Sequence, residues 1–158
     1  MENNRKIDIP LVIAGSYHPY NMNSRRIIQL FYSLKRKGKK IKFVFNPSNN
    51  ELVELYRNAL LFVYPGHENF NMSALEAMSA GCPILVANSS RICEILPESL
   101  REYLCLPKDN IDAWVTRIFE IVRNDESYYL GKKLREITQR YNMYTYINGL
   151  VKILKTIE

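Results

Sequence analysis

Residues 65–85 read PGHENFNMSALEAMSAGCPIL, and this stretch decides how the rest of the chain is interpreted. It follows an apolar run, Leu60–Tyr64, that is typical of a buried strand. A helical pattern comes next and ends in Ala-Gly, and Cys-Pro then leads into a new apolar strand. Two glutamates, Glu68 and Glu76, stand on either side of the predicted strand-to-helix junction.

Strand-like and helix-like segments alternate along the chain without a linker, a repeat or a low-complexity stretch. The predicted strands are Leu11–Gly15, Ile41–Phe45, Leu60–Tyr64, Pro83–Ala87 and Tyr103–Leu106. The predicted helices begin near Asn23 or Ser24, near residues 52, 73, 91 and 109, and at about 127–140 and 143–157. This alternation predicts an α/β fold, a Rossmann-like parallel sheet with helices on both faces.

Length and composition indicate an ordinary globular protein. The chain has 158 residues, 47% of them apolar and 24% charged, so we expect one domain over residues 1–158. No apolar run approaches the roughly 20 residues that span a bilayer, and the first residues do not resemble a signal peptide. Cys82, Cys93 and Cys105 are odd in number and too widely spaced for a paired metal knuckle. We therefore expect reduced cysteines, a cytoplasmic location and no metal site.

A basic cluster, KRKGKK at residues 35–40, contributes much of the net charge of +6. One interpretation is structural, because cations in the last turn of a helix are favoured by the macrodipole and Gly38 would be its left-handed stop. The other is peripheral contact with anionic lipid headgroups or with a phosphorylated acceptor. Nucleic acid is not an expected partner, since no basic stripe with interleaved aromatic residues is present.

The positions of Glu68 and Glu76 suit a sugar nucleotide. In a parallel sheet, ligands bind beyond the carboxyl ends of the strands, and Glu68 follows such an end. Free amides at the start of the next helix favour a diphosphate, while ionised carboxylates accept hydrogen bonds from sugar hydroxyls. A structural alternative stays open, in which Ser73 and Glu76 form a capping box and Glu68 is a solvated loop acid.

The whole segment resembles the donor-site pattern of glycosyltransferase family four, which are retaining enzymes of the GT-B architecture. The commoner form there reads Pro-Ser-x-x-Glu-Gly-Phe-Gly-x-x-x-x-Glu-Ala-Met-x-x-Gly-x-Pro-Val-Ile. The resemblance covers roughly residues 10–155 and implies the C-terminal, donor-binding half of such an enzyme. Other segments that match the family are Leu11–Ser16, Asn50–Ala59, Glu94 and Leu106–Asp109.

The resemblance also implies roles for single residues. It places Glu68, as the catalytic residue, near the reacting carbon of the transferred sugar, and Glu76 on the nucleotide ribose. The nucleobase would lie near Asn46, at the end of the second strand. The residues expected at the donor sugar and diphosphate are Phe70, Asn71, Met72, Ser73, Gly15 and, as a candidate cation, Arg25.

The chain departs from the family pattern at several glycines. Asn69 and Asn71 replace both glycines of Glu-Gly-Phe-Gly, and Asn46 replaces the glycine after the second strand. The upstream Gly-Arg and Lys of the family, and its N-terminal acceptor domain, have no counterpart in the sequence. Three interpretations stay open: a donor-binding half that works with an N-terminal partner, a compact transferase whose cation is Arg25, Arg26 or His18, and a degenerate binding module.

We expect a glycosyltransferase that moves a sugar from a nucleoside diphosphate sugar to an acceptor with retention and without a cofactor or an obligatory metal. The alternative is a non-catalytic module of the same fold. The expected partners are the sugar nucleotide, an N-terminal domain or a second copy of the chain, and an anionic membrane surface.

Overall fold

The structure is a computed structural model that describes residues 9–18, 20–66, 70–141 and 143–155. Strands and helices alternate along most of this length. The elements are β1 (Leu11–Gly15), α1 (Met22–Arg36), β2 (Ile41–Phe45), α2 (Asn49–Asn58), β3 (Phe62–Tyr64), α3 (Met72–Ala80), β4 (Ile84–Ala87), a 3₁₀ helix (Arg91–Ile95), α4 (Glu98–Leu104), β5 (Cys105–Leu106), α5 (Ile111–Arg123), α6 (Ser127–Thr138) and α7 (Met143–Lys155).

The chain forms two compact units, Met1–Glu54 and Leu55–Glu158, and the boundary falls within α2. In the first unit β1 and β2 pair in parallel, from Leu11 opposite Ile41 to Gly15 opposite Phe45. Their carboxyl ends therefore lie side by side.

Helix α1 packs on β2 through Phe31, whose ring centroid lies 6.1 Å from that of Phe43. The helix ends in a Schellman motif, because Lys39 N donates to Leu34 O and Gly38 N donates to Lys35 O. Gly38 has φ +72°, so the predicted left-handed stop is confirmed. Asn21, rather than Asn23 or Ser24, caps the start, since its Oδ1 accepts from Ser24 N at 3.4 Å.

The second unit contains the parallel sheet β3-β4-β5. Every residue of β4 is fully buried, as expected of a central parallel strand covered on both faces. The core contains the side chains of Leu85, Ala87, Leu106 and Trp114. The Trp114 indole donates to Pro107 O at 2.8 Å, so its polar atom is satisfied while its ring packs.

The predicted α/β fold is confirmed, with parallel sheets flanked by helices. Three predicted strands begin later than expected: β3 begins at Phe62 rather than Leu60, and β4 at Ile84 rather than Pro83. The largest difference is at β5, since Tyr103 and Leu104 belong to α4 and only Cys105–Leu106 is extended. The apolar run looked like a strand, but Leu100 and Leu104 are also four residues apart, and Leu104 is buried as a helical residue. No described helix is long and apolar enough to cross a membrane.

The expectation that all three cysteines are reduced is wrong for two of them, because Cys93 and Cys105 form a disulfide. Their Cα atoms are 6.3 Å apart, within the usual range for a bridge. Cys93 lies in the 3₁₀ helix that follows β4, and Cys105 begins β5, which pairs with β4. The fold therefore brings together two cysteines that are twelve residues apart in sequence. Cys82 is buried with a free thiol, and burial raises its pKa to about 12.

Thiol counting tests this arrangement. The native chain should not react readily with Ellman's reagent, because the thiol of Cys82 is buried and protonated at neutral pH. After unfolding without reductant we expect one reactive thiol, and after unfolding with reductant three. Three thiols in the unreduced, unfolded protein would contradict the disulfide.

Two helical glycines offer a matched test of packing. A Cβ added at Gly131 in α6 would collide with the backbone carbonyl oxygen of Gly81, just after α3, whereas one at Gly149 in α7 meets nothing within 4 Å. We expect Gly131→Ala to lower the free energy of unfolding by about 2 kcal/mol through overpacking. Gly149→Ala should raise it by about 0.5 kcal/mol, because alanine favours a helix. Urea unfolding measures both, and a stable Gly131→Ala protein would refute the α3–α6 contact.

Candidate functional site

Helix α3 begins one residue earlier than the sequence predicts, and this changes the roles of the residues around it. Asn71 is the N-cap, with φ −80° and ψ 92°, and its Oδ1 accepts from Ala74 N at 3.0 Å. Asn71 thus replaces a family glycine without using positive φ. The residue serves as a helix cap because asparagine is among the best N-cap residues.

The start of α3 presents polar backbone beyond the carboxyl end of β3. The first hydrogen bond of the helix runs from Leu75 N to Asn71 O. The amides of Met72 and Ser73 therefore have no carbonyl acceptor within the helix. These amides and the helix dipole favour an anion such as a diphosphate. The side chains of Phe70 and Met72 are exposed beside them.

The Asn71 amide nitrogen is a donor without an acceptor in the part of the chain that the structure describes. The side chain is fully buried, and its Nδ2 has no hydrogen-bond partner among those residues. A buried amide N–H without an acceptor destabilises the folded state, because it loses its hydrogen bonds to water and gains none in the protein. It marks this end of α3 as a place where an additional acceptor oxygen would stabilise the chain.

Glu76 lies in the second turn of α3 and is exposed. It does not form the capping box with Ser73, because Ser73 is itself inside the helix and Asn71 holds the cap position. A true capping box occurs elsewhere, at Ser48 and Glu51, where Ser48 N donates to Glu51 Oε2 at 2.8 Å and Glu51 N donates to Ser48 Oγ at 3.3 Å. The structural alternative for Glu76 is therefore wrong.

Glu76 has a partner that sequence reasoning missed. The hydroxyl of Tyr56, near the end of α2, donates to Glu76 Oε2 at 3.5 Å. The Tyr56 ring is buried and meets Phe62 edge-on, with centroids 5.7 Å apart. Burial and, next, the negative charge of Glu76 raise the pKa of Tyr56 above its ordinary value. In sequence Tyr56 looks only like an apolar residue of a short helix, so no signal pointed to this contact.

Three predicted site residues belong to the first unit. Asn46 follows β2 with φ +45°, a left-handed conformation that explains why the family has glycine there and why asparagine is tolerated. Its N donates to Gly15 O at 3.0 Å, and its Oδ1 accepts from Tyr17 N at 3.1 Å. Asn46 and Gly15 are thus brought together where β1 and β2 end. Arg25 lies in the first turn of α1 and is exposed.

The predicted residues therefore form two groups, one in each unit. Asn46 and Gly15 make contact in the first unit. In the second unit Phe70, Asn71, Met72, Ser73 and Glu76 gather at the start of α3. Glu68, the predicted catalytic residue, lies outside the described residues. Among the residues that are described, no group of three His, Cys, Asp or Glu side chains could hold a metal ion.

The Tyr56–Glu76 contact can be tested by titration. Glu76→Gln removes the negative charge that raises the pKa of Tyr56, so we expect that pKa to fall. Tyr103 is an internal control, because burial and its hydrogen bond to Glu126 raise its pKa to about 12 and Glu76 is not among the causes. Phenol titration followed by NMR separates the two tyrosines. An unchanged Tyr56 pKa would show that the contact does not exist.

Residues 1–141 match the protein-family model described as "Glycosyl transferases group 1". The serotype-specific mannosyltransferase WbdA of Escherichia coli is 30% identical over 131 residues, which are 82% of this chain and 15% of that protein. The alpha-1,3/1,6-mannosyltransferase ALG2 of Dictyostelium discoideum is 26% identical over 158 residues, which are 96% of this chain and 37% of that protein. The chain thus spans well under half the length of these relatives.

Solved structures support the same fold. Sucrose-phosphate synthase from Thermosynechococcus elongatus superposes with a TM-score of 0.75 at 23% identity, over 94% of this chain and 39% of that one. The catalytic domain of cholesterol-alpha-glucosyltransferase from Helicobacter pylori gives 0.62 at 20% identity, over 85% of this chain and 100% of that one. At these identities the likeness bears on the fold alone.

Proposed function

The chain belongs to the glycosyl transferases group 1 family, and on that premise we propose that it is the donor-binding domain of a retaining glycosyltransferase of family four. It transfers a hexose from a nucleoside diphosphate sugar to an acceptor hydroxyl and needs neither a resident cofactor nor a metal. The whole chain, residues 1–158, acts as one nucleotide-sugar-binding domain.

The observation that carries the proposal is the position of Glu76. Its carboxylate is exposed one turn into α3, is not used for capping, and is held by the Tyr56 hydroxyl. A carboxylate so placed can accept two hydrogen bonds from a ribose diol. The amides of Met72 and Ser73 at the start of the same helix are available to the diphosphate, so one element addresses both parts of the nucleotide.

Transfer breaks the bond between the anomeric carbon and the diphosphate and forms a bond from that carbon to the acceptor oxygen. Glu68 is assigned to the transferred sugar near this carbon. The leaving diphosphate gains negative charge, which the α3 amides and a cation stabilise. The family resemblance assigns Arg25, Gly15 and Asn46, all of the first unit, to the cation, the diphosphate and the nucleobase, and we keep these assignments as predictions.

Reactants must be held together and water excluded for transfer to be efficient. Because the chain spans only part of its relatives, we propose that an N-terminal domain or a second copy completes the acceptor side. Mannose is the first sugar to test, since WbdA and ALG2 are both named as mannosyltransferases. The proposed location is cytoplasmic.

Calorimetric titration of the full chain with UDP, GDP, ADP and CMP tests the donor site. We expect one nucleoside diphosphate to bind, and Glu76→Ala to weaken it at least about tenfold, since two hydrogen bonds to a charged acceptor are lost. Glu136→Ala is the matched control, because Glu136 is also an exposed glutamate on a helix of the second unit. Equal affinity of both variants, or no binding by the folded wild type, would refute the donor site.

One observation favours the second candidate, a non-catalytic binding module of the same fold. Asn71 fills with a buried side chain a position where the family pattern has glycine, and glycine lets a ligand approach the backbone closely. Such a module would bind the nucleotide but would not convert a nucleoside diphosphate sugar to the free nucleoside diphosphate, even with the acceptor domain present.

A further inference from the structure

The cations of this chain are distributed unevenly. Between Asp8 and Glu51 the sequence has eight Lys and Arg residues and no acidic residue, whereas residues 55–158 contain twelve of each sign. The net charge of +6 therefore belongs to the first unit. Such an asymmetry attracts an anionic partner to one part of the molecule.

The end of α1 concentrates this charge. Arg36, Lys37, Lys39 and Lys40 are all exposed, and we call these four residues the basic surface. The helix macrodipole accounts for a cation in the last turn, where Arg36 lies, but its effect fades beyond that turn. Lys39 and Lys40 follow the Schellman motif at Gly38 and are not explained by helix stability.

Large apolar side chains accompany the cations on α1. Phe31 points inward onto Phe43, yet its neighbours Leu30 and Tyr32 are 59% and 58% exposed. Tyr32 lies one turn before Arg36, and Leu30 lies two turns before Lys37, so each apolar side chain lies on the same side of the helix as a cation. Leu30 and Tyr32 themselves flank the outward face, about 160° apart around the helix. A soluble phosphate would use the cations alone. The mixture fits the boundary between lipid headgroups and acyl chains.

We propose that the basic surface, with Leu30 and Tyr32, docks the first unit on an anionic lipid bilayer. The cations lie among the headgroups, and Leu30 and Tyr32 contact the interface from the two flanks of α1. The charges are complementary because cytoplasmic leaflets are negative and this stretch of the chain carries no acid to repel them. This inference does not depend on the donor site, which is assigned to other residues.

Vesicle sedimentation of the full chain tests the proposal. We expect binding to phosphatidylcholine vesicles that contain about 30% phosphatidylglycerol, weakening with salt, and no binding to phosphatidylcholine alone. The triple variant Arg36→Gln/Lys37→Gln/Lys39→Gln should bind about 100-fold more weakly. Leu30→Ser should bind several-fold more weakly at high salt, where apolar contact carries more of the affinity.

The matched control is Lys132→Gln/Lys133→Gln/Arg135→Gln, which removes the same charge from exposed positions of α6. It should retain the affinity of the wild type, because those cations belong to the second unit. An equal loss in both triple variants would show that only net charge matters and would overturn the proposal. So would the absence of wild-type binding to the anionic vesicles, an unaltered Leu30→Ser variant, or equally tight binding to duplex DNA.

Discussion

The hydrogen bond from Ala74 N to Asn71 Oδ1, at 3.0 Å, fixes where α3 begins, and the candidate site depends on that start. Because the helix begins at Met72, Ser73 lies inside it and cannot pair with Glu76 as a capping box. Glu76 consequently accepts from the Tyr56 hydroxyl. Moving the N-cap by two residues, from Asn71 to Ser73, would bring Glu76 to the N3 position of a capping box.

The comparison of two Ser-x-x-Glu segments shows what sequence could and could not predict. Ser48-Asn-Asn-Glu51 and Ser73-Ala-Leu-Glu76 have the same spacing, yet only the first is a capping box. The difference lies in the preceding residues, since Asn71 competes successfully for the cap of α3. The strands β1 and β2 and the α/β class followed directly from apolar runs and their alternation. The Tyr56–Glu76 contact and the disulfide of Cys93 and Cys105 depend on tertiary packing, which local patterns do not report.

Asparagine replaces glycine in this chain for two different physical reasons. At Asn46 the backbone is left-handed, and asparagine is the side chain that tolerates φ +45° best after glycine. At Asn71 the backbone is extended and the side chain serves as a cap. The sequence showed both substitutions as departures from a family pattern. The backbone angles show that asparagine meets a conformational requirement at position 46 and provides a new hydrogen bond at position 71.

The central claim is that α3 of the second unit binds the nucleotide of a sugar donor. The most direct measurement is a ¹H–¹⁵N spectrum of the full chain titrated in turn with UDP, GDP and ADP. We predict that one of them gives saturable shifts for the amides of Met72, Ser73 and Glu76, with those of α6 unchanged. Saturable shifts confined to α5 and α6, or no shifts with any of the three nucleotides, would contradict the claim.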